Sequence, residues 1–383
     1  MNPKVLRWAR DARLLSIEKA SQRLNWPEEK IVELEQATEI SLEELEKLAS
    51  GYRLSTATLL MPEPLPADQY PPRAIDDFRL HAHMAEEPVT FGTQIKVENA
   101  FELIELLAEV NDEDADVAPR PLLPTADLQE DAERVAIRER GRIGLPVDAQ
   151  IGWETDKEAF LRWREVVEAQ DIIVHKTTLH EASVRGFAIF ARGYGYMALD
   201  SADDNRARAF TLFHEYAHLL LRISGISDQN RHVPIERWCN RFAATFLMPA
   251  EAFRRHYELI CSEGPPAGEW QVRKMAKSFK VSLSAAAIRF EELGLAPHGF
   301  YERLKAGWGV RKPRRGGGPS DLSQIDIELG RLGTTQVSAI SVALDKGLID
   351  RMEAHYALNV PLDHLPALTA AARTRHQAYG PTR

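Results

Sequence analysis

Apolar residues recur at helical spacing along most of the chain and cluster as strands in one stretch. Ser16 can cap a helix whose apolar side carries Ala20 and Leu24. Pro27 stands at a first-turn position ahead of Ile31 and Leu34, and Ser41 with Glu44 has capping-box spacing ahead of Leu45 and Leu48. Thr56 to Met61 reads as a last short helix, after which Pro62, Pro64, Pro66, Pro71 and Pro72 mark an extended linker. Helical patterns return at 92–110, 126–142 and 155–169, interrupted by the acidic run 112–116 and by Pro119, Pro121 and Pro124. Ile172-Ile173-Val174, Phe187 to Phe190 and Tyr194 to Leu199 read as strands, the last two joined as a hairpin by Arg192-Gly193. Asp203 or Asp204 caps a helix reaching Arg222, Pro234 opens one that ends at Met248-Pro249, and the remainder is helical apart from a Gly- and Arg-rich loop at 311–320. The pattern predicts an α+β protein, mainly α, with a small three-stranded sheet flanked by helical domains. The expected divisions are 1–62, a linker at 63–74, 75–262 with the sheet, and 263–383.

A length of 383 residues favours two or three domains. The net charge of −9 removes any global attraction to nucleic acid or anionic lipid, so such binding needs a local patch. Two cysteines, Cys239 and Cys261, are too few for a disulfide framework. The chain start lacks the apolar core of a signal peptide, so the expectation is a cytoplasmic protein without a membrane partner.

The chemistry concentrates in His214-Glu215-Tyr216-Ala217-His218. Histidines four apart on a helix point the same way, one turn above the other, so both imidazoles can reach one cation. Glu215 then lies close enough to a metal-bound water to take its proton. Phe210, Leu212, Phe213, Ala217 and Leu219 to Leu221 surround these residues, so the helix is expected to be buried. Satisfied core histidines are the plain alternative, but buried polar groups are costly without partners. Catalytic zinc usually takes three protein ligands and a water, and Glu236 on the next helix is the expected third, with His232 as rival. Asn240, four residues beyond Glu236, can hydrogen-bond a ligating imidazole. Tyr196 or His232 is a candidate oxyanion donor, and the strand Tyr194 to Leu199 a candidate for pairing with an extended substrate. These ligand types favour zinc and also accept manganese.

Residues 208–221 together with Glu236 to Pro249 resemble the ImmA/IrrE family of metallo-endopeptidases, over roughly residues 75 to 300. The resemblance implies a zincin-like core in which His214, His218 and Glu236 bind zinc and Glu215 is the general base. Cys239 departs from the alanine usual there. The family also implies a protein substrate, a helix-turn-helix repressor or an antitoxin encoded nearby, whose cleavage releases genes for stress response, mobile elements or phage defence.

Residues 5–60 resemble the helix-turn-helix domain of Xre-type repressors, with Pro27 to Gln36 as recognition helix and the Phe78-Arg79 pair after the linker. Arg7, Arg10, Arg13 and Arg23 could form a basic edge for operator DNA or a partner. Against this, residues 1–60 carry nine Lys or Arg and ten Asp or Glu, a net of −1. Glu28, Glu29, Glu33 and Glu35 on the recognition segment face a single Lys30. A rival reading is therefore kept: a DNA-binding regulator or antitoxin with a toxin partner and a mainly structural metal site. Residues 270–295 also resemble a helix-turn-helix, and Arg311 to Gly318 is the most basic stretch, read as a solvated loop or a phosphate contact.

Overall fold

A computed structural model describes residues 2–13, 15–66, 76–77, 90–118, 120–121, 123–179, 184–227, 234–261, 267–308 and 323–379. These fall into two compact units, Met1–Ile75 with Glu86–Asn99, and Asp76–Ala85 with Ala100–Arg383.

The first unit holds helices Pro3–Ala12, Ile17–Leu24, Glu28–Leu34, Leu42–Tyr52 and Thr56–Leu59. The local signals act as expected: Ser16 Oγ accepts from the Lys19 N–H, and Ser41 and Glu44 form a reciprocal capping box. Pro27 stands one residue earlier than expected, as the cap of its helix. The apolar faces meet in a core that includes Leu6, Ala20, Leu24, Ile31, Leu48 and Tyr52, closed by Phe91 and Ile95.

The second unit is built on a five-stranded sheet in the order β1 (Asp76–Asp77), β5 (Gly225–Ser227), β3 (Gly186–Ala191), β4 (Tyr194–Asp200), β2 (Ile173–Thr177). β2 runs parallel to β4, β3 antiparallel to both β4 and β5, and β1 parallel to β5. The three expected strands are present. The two additional ones span two and three residues, too short to carry an alternating pattern. β4 is buried at every position, as a strand covered on both faces must be.

The helix Asn205–Leu220, here the histidine helix, lies against this sheet, and glycines permit the approach. A Cβ at Gly195 would stand 3.0 Å from Leu219 Cδ1, and one at Gly186 would stand 2.8 Å from Glu215 Oε1. The helices Asp156–Glu168, Pro234–Leu247 and Ala132–Ile143 complete the packing. Phe213 stacks on Phe246 at 4.1 Å and meets the edge of Trp163 at 5.0 Å. Beyond 262, the buried Leu329, Val337, Ile340 and Leu368 of the last helices lie outside the apolar cluster of the histidine helix, whereas the segment before them joins it. Val272, Met275, Phe279 and Phe290, from helices Glu269–Phe279 and Leu283–Glu292, join the same apolar cluster as the histidine helix, so the segment resembling a second helix-turn-helix is a wall of this core. No described helix is long and apolar enough to cross a membrane.

Candidate metal centre

The histidine helix begins at Asp204, whose carboxylate accepts the N–H groups of Arg206 and Ala207. Arg208 ties the preceding turn together, donating to the carbonyls of Asp200, Ser201 and Asp203. Deeper in the fold, Arg142 donates to the Tyr216 hydroxyl at 2.9 Å, and that hydroxyl donates to buried Glu139 at 3.1 Å. These contacts fix the rotation of the helix about its axis. Sequence reasoning missed the Glu139–Tyr216 brace, because nothing local signals a pair 77 residues apart.

With the helix so held, His214 and His218 turn their Nε2 atoms toward each other, 3.3 Å apart. Glu236, in the first turn of Pro234–Leu247, brings Oε2 to 3.1 Å from His214 Nε2 and Oε1 to 3.1 Å from His218 Nε2. His214, Glu215, His218 and Glu236 all have 0 % exposure. Ligand atoms around a tetrahedral zinc with bonds of about 2.0–2.1 Å are separated by roughly 3.3 Å. The triangle of one carboxylate and two imidazoles therefore has the span that such an ion requires. Among the described residues this is the one group of three or more His, Cys, Asp or Glu whose ligand atoms converge in this way.

Asn240 Oδ1 lies 3.2 Å from His214 Nδ1, as expected for a partner that keeps the proton on Nδ1 and turns the Nε2 lone pair inward. Burial opposes charge on His214, but the Glu236 charge and hydrogen bond, Glu215 and Asn240 together raise its pKa. Burial lowers that of His218, with the neighbouring His214 adding to it. Glu236 is held down at about 2: burial pushes upward, and the two imidazoles outweigh it. The site thus favours an ionised carboxylate between two imidazoles, the donor set that a divalent cation takes. Cys239, one turn after Glu236, is fully buried, and burial raises its thiol well above the usual range. It fills space as a small neutral group.

Other expectations meet a different outcome. Tyr196 is not brought to this group. Gly195, next to it on β4, faces the histidine helix, so strand alternation sends Tyr196 to the opposite face of the sheet. There its hydroxyl lies 2.8 Å from His175 Nδ1 and its ring stacks on Phe187, so it cannot serve an oxyanion at Glu215. β4 is also closed to substrate pairing, since β3 and β2 occupy both its edges. His232, the Phe78-Arg79 pair and the run Arg311 to Gly318 lie outside the described residues.

The basic edge expected on the first unit is largely consumed within it. Arg10 bridges Glu35 at 2.5 Å and donates to the Leu15 carbonyl. Arg13 is buried against Glu98 and the Tyr52 and Arg53 carbonyls. Arg23 donates to the Gly51 carbonyl and lies over the Phe91 ring at 3.9 Å. Arg7 is exposed, beside Asp11. A sequence count of arginines carries no information on which are spent on packing and carbonyls.

The fold is mainly helical with one small sheet, consistent with a zincin-like peptidase, and the site is a buried group able to hold a metal ion. Residues 167–291 match the family model Peptidase_M78, described as the IrrE N-terminal-like domain, which supports a metallopeptidase of the ImmA/IrrE type. No curated protein matches the chain.

Proposed function

We propose that this protein is a zinc endopeptidase that cleaves a regulatory protein, a helix-turn-helix repressor or an antitoxin. The observation that carries the proposal is the convergence of His214, His218 and Glu236 with Glu215 on the same buried helix. A purely structural metal site has no need of Glu215. When bound, the ion supplies an acidified water and a Lewis-acid position for a carbonyl oxygen. His214, His218 and Glu236 hold it, and Asn240 orients His214. Glu215 accepts the proton of the attacking water and returns it to the leaving amine. The apolar walls around Glu215 keep other water from competing.

The first unit is proposed to dock the protein substrate. Its third helix presents exposed Glu28, Glu29 and Glu33, a charge that disfavours phosphate and suits a basic partner. The test is incubation of the zinc-loaded protein with repressor- or antitoxin-like proteins encoded beside it, with and without chelator. Mass analysis should find two complementary fragments, absent with chelator. Intact partners under both conditions would end the proposal.

A further inference from the structure

The four residues of the proposed centre are fully enclosed, so a polypeptide cannot reach Glu215 in this arrangement. The part of the fold standing beside the base is β5. Gly186 of β3 leaves the space that Glu215 occupies, since a Cβ there would stand 2.8 Å from Glu215 Oε1, and Gly186 pairs directly with Ser227 of β5. Strand spacing is about 4.7–4.9 Å, so β5 lies one strand away from the backbone that contacts the base.

β5 is short. It makes three register pairs with β3, Gly186 with Ser227, Phe187 with Ile226 and Ala188 with Gly225, and two with β1, Asp76 with Gly225 and Asp77 with Ile226. Beyond them, the Phe190 N–H donates to Ser224 Oγ at 2.9 Å. The segment leaves the histidine helix at Arg222, a non-glycine residue in the left-handed region at φ 58°, its guanidinium over the Phe190 ring at 4.0 Å. Residues directly opposite on paired strands share a face. Gly225 therefore shares with Ala188 the face toward the histidine helix, while Ile226 lies on the far face with Phe187 and is 3 % exposed.

We infer that β5 is an internal stand-in for substrate, which must be displaced from the β3 edge before an extended segment takes its place. The inference rests on the peptidase reading and adds the substrate class: an unstructured segment in which an aliphatic residue, seated where Ile226 sits, is flanked by small residues. Main-chain pairing with β3 supplies binding, and the aliphatic slot supplies selection.

The test uses the full, zinc-loaded chain and two readouts, the rate of zinc extraction by 1,10-phenanthroline and the rate of cleavage of unfolded casein. Ile226→Ser should accelerate extraction at least tenfold and raise any cleavage in parallel. Leu329→Ala, buried in the C-terminal helices and destabilising by a comparable amount, should leave extraction unchanged. Equal extraction rates in parent and Ile226→Ser would overturn the inference whether or not casein is cut, as would equal acceleration by Leu329→Ala. Faster extraction confined to Ile226→Ser, with no cleavage by any variant, would uphold β5 as the cover and remove the peptidase reading. If Ile226→Ser loses cooperative melting, Ser224→Gly, which deletes the acceptor for the Phe190 N–H, takes its place with the same expectations.

Discussion

Two glutamates of the second unit, Glu168 half-buried and Glu236 fully buried, show how shielding from solvent alone fails to define a site. Glu168 closes the helix Asp156–Glu168 beside Arg164, at 2.9 Å, and accepts the Thr334 N–H at 3.3 Å. Arg164 continues to the carbonyls of Gly330 and Val174, so charge and donors are used up in joining helices to β2. Glu236 is fully buried, and its oxygens face two imidazole nitrogens that are themselves buried. Burial raises the pKa of Glu168, while the histidines draw that of Glu236 down to about 2. One carboxylate is satisfied by the architecture, and the other belongs to a group whose geometry is completed by a cation.

The sharpest contrast is chemical. Glu215→Gln should retain metal and lower the rate of substrate cleavage by about 10²–10⁴-fold, the usual weight of a general base. Retained cleavage, followed by fragment mass, would remove Glu215 from that role. Next comes the structural carboxylate pair. Arg164→Met strands Glu168 and should cost about 3–5 kcal/mol in denaturant unfolding, with metal content unchanged. Loss of metal in that variant would show that the two regions are not separate.

Tyr196→Phe should cost about 1 kcal/mol through its hydrogen bond to His175 and leave cleavage of the same substrate intact. A selective loss of turnover would restore it to the site. The smallest effect separates the two glutamates in acid, in metal-free protein. A depressed pKa contributes stability that is complete above the unfolded carboxylate range and lost as pH falls through the folded value. Glu236→Gln should therefore flatten the loss of stability between pH 4.5 and about 2. Glu168 has the opposite sign and acts above pH 4.5: its raised pKa favours proton uptake on folding, so the stability gained as pH falls toward 4.5 should be missing in Glu168→Gln. Urea titrations from neutral pH down to about 2 read both slopes, and like changes in the two variants would dissolve the distinction.

Much of the site was legible in the sequence because its signals are local. His214 and His218 share a helix face by spacing alone, and Glu236 and Asn240 repeat that spacing on the next helix. The caps at Ser16, Ser41 and Asp204 were readable for the same reason. What failed depends on tertiary placement. The alternation of β4 assigns Tyr196 to a face, but which face meets the histidine helix is decided by packing at Gly186 and Gly195. β1 and β5 exist through pairing partners far away in sequence, Asp76 with Gly225 and Phe187 with Ile226. The arginines of the first unit looked available because their partners, Glu35, Glu98 and the Gly51 carbonyl, are brought to them by the fold.

The most direct test of the central claim is metal stoichiometry after reconstitution with zinc and exhaustive buffer exchange. Parent and Glu215→Gln should each retain one equivalent, whereas Glu236→Ala and His214→Ala should retain close to none. One equivalent held by Glu236→Ala as tightly as by the parent would contradict the three-residue site.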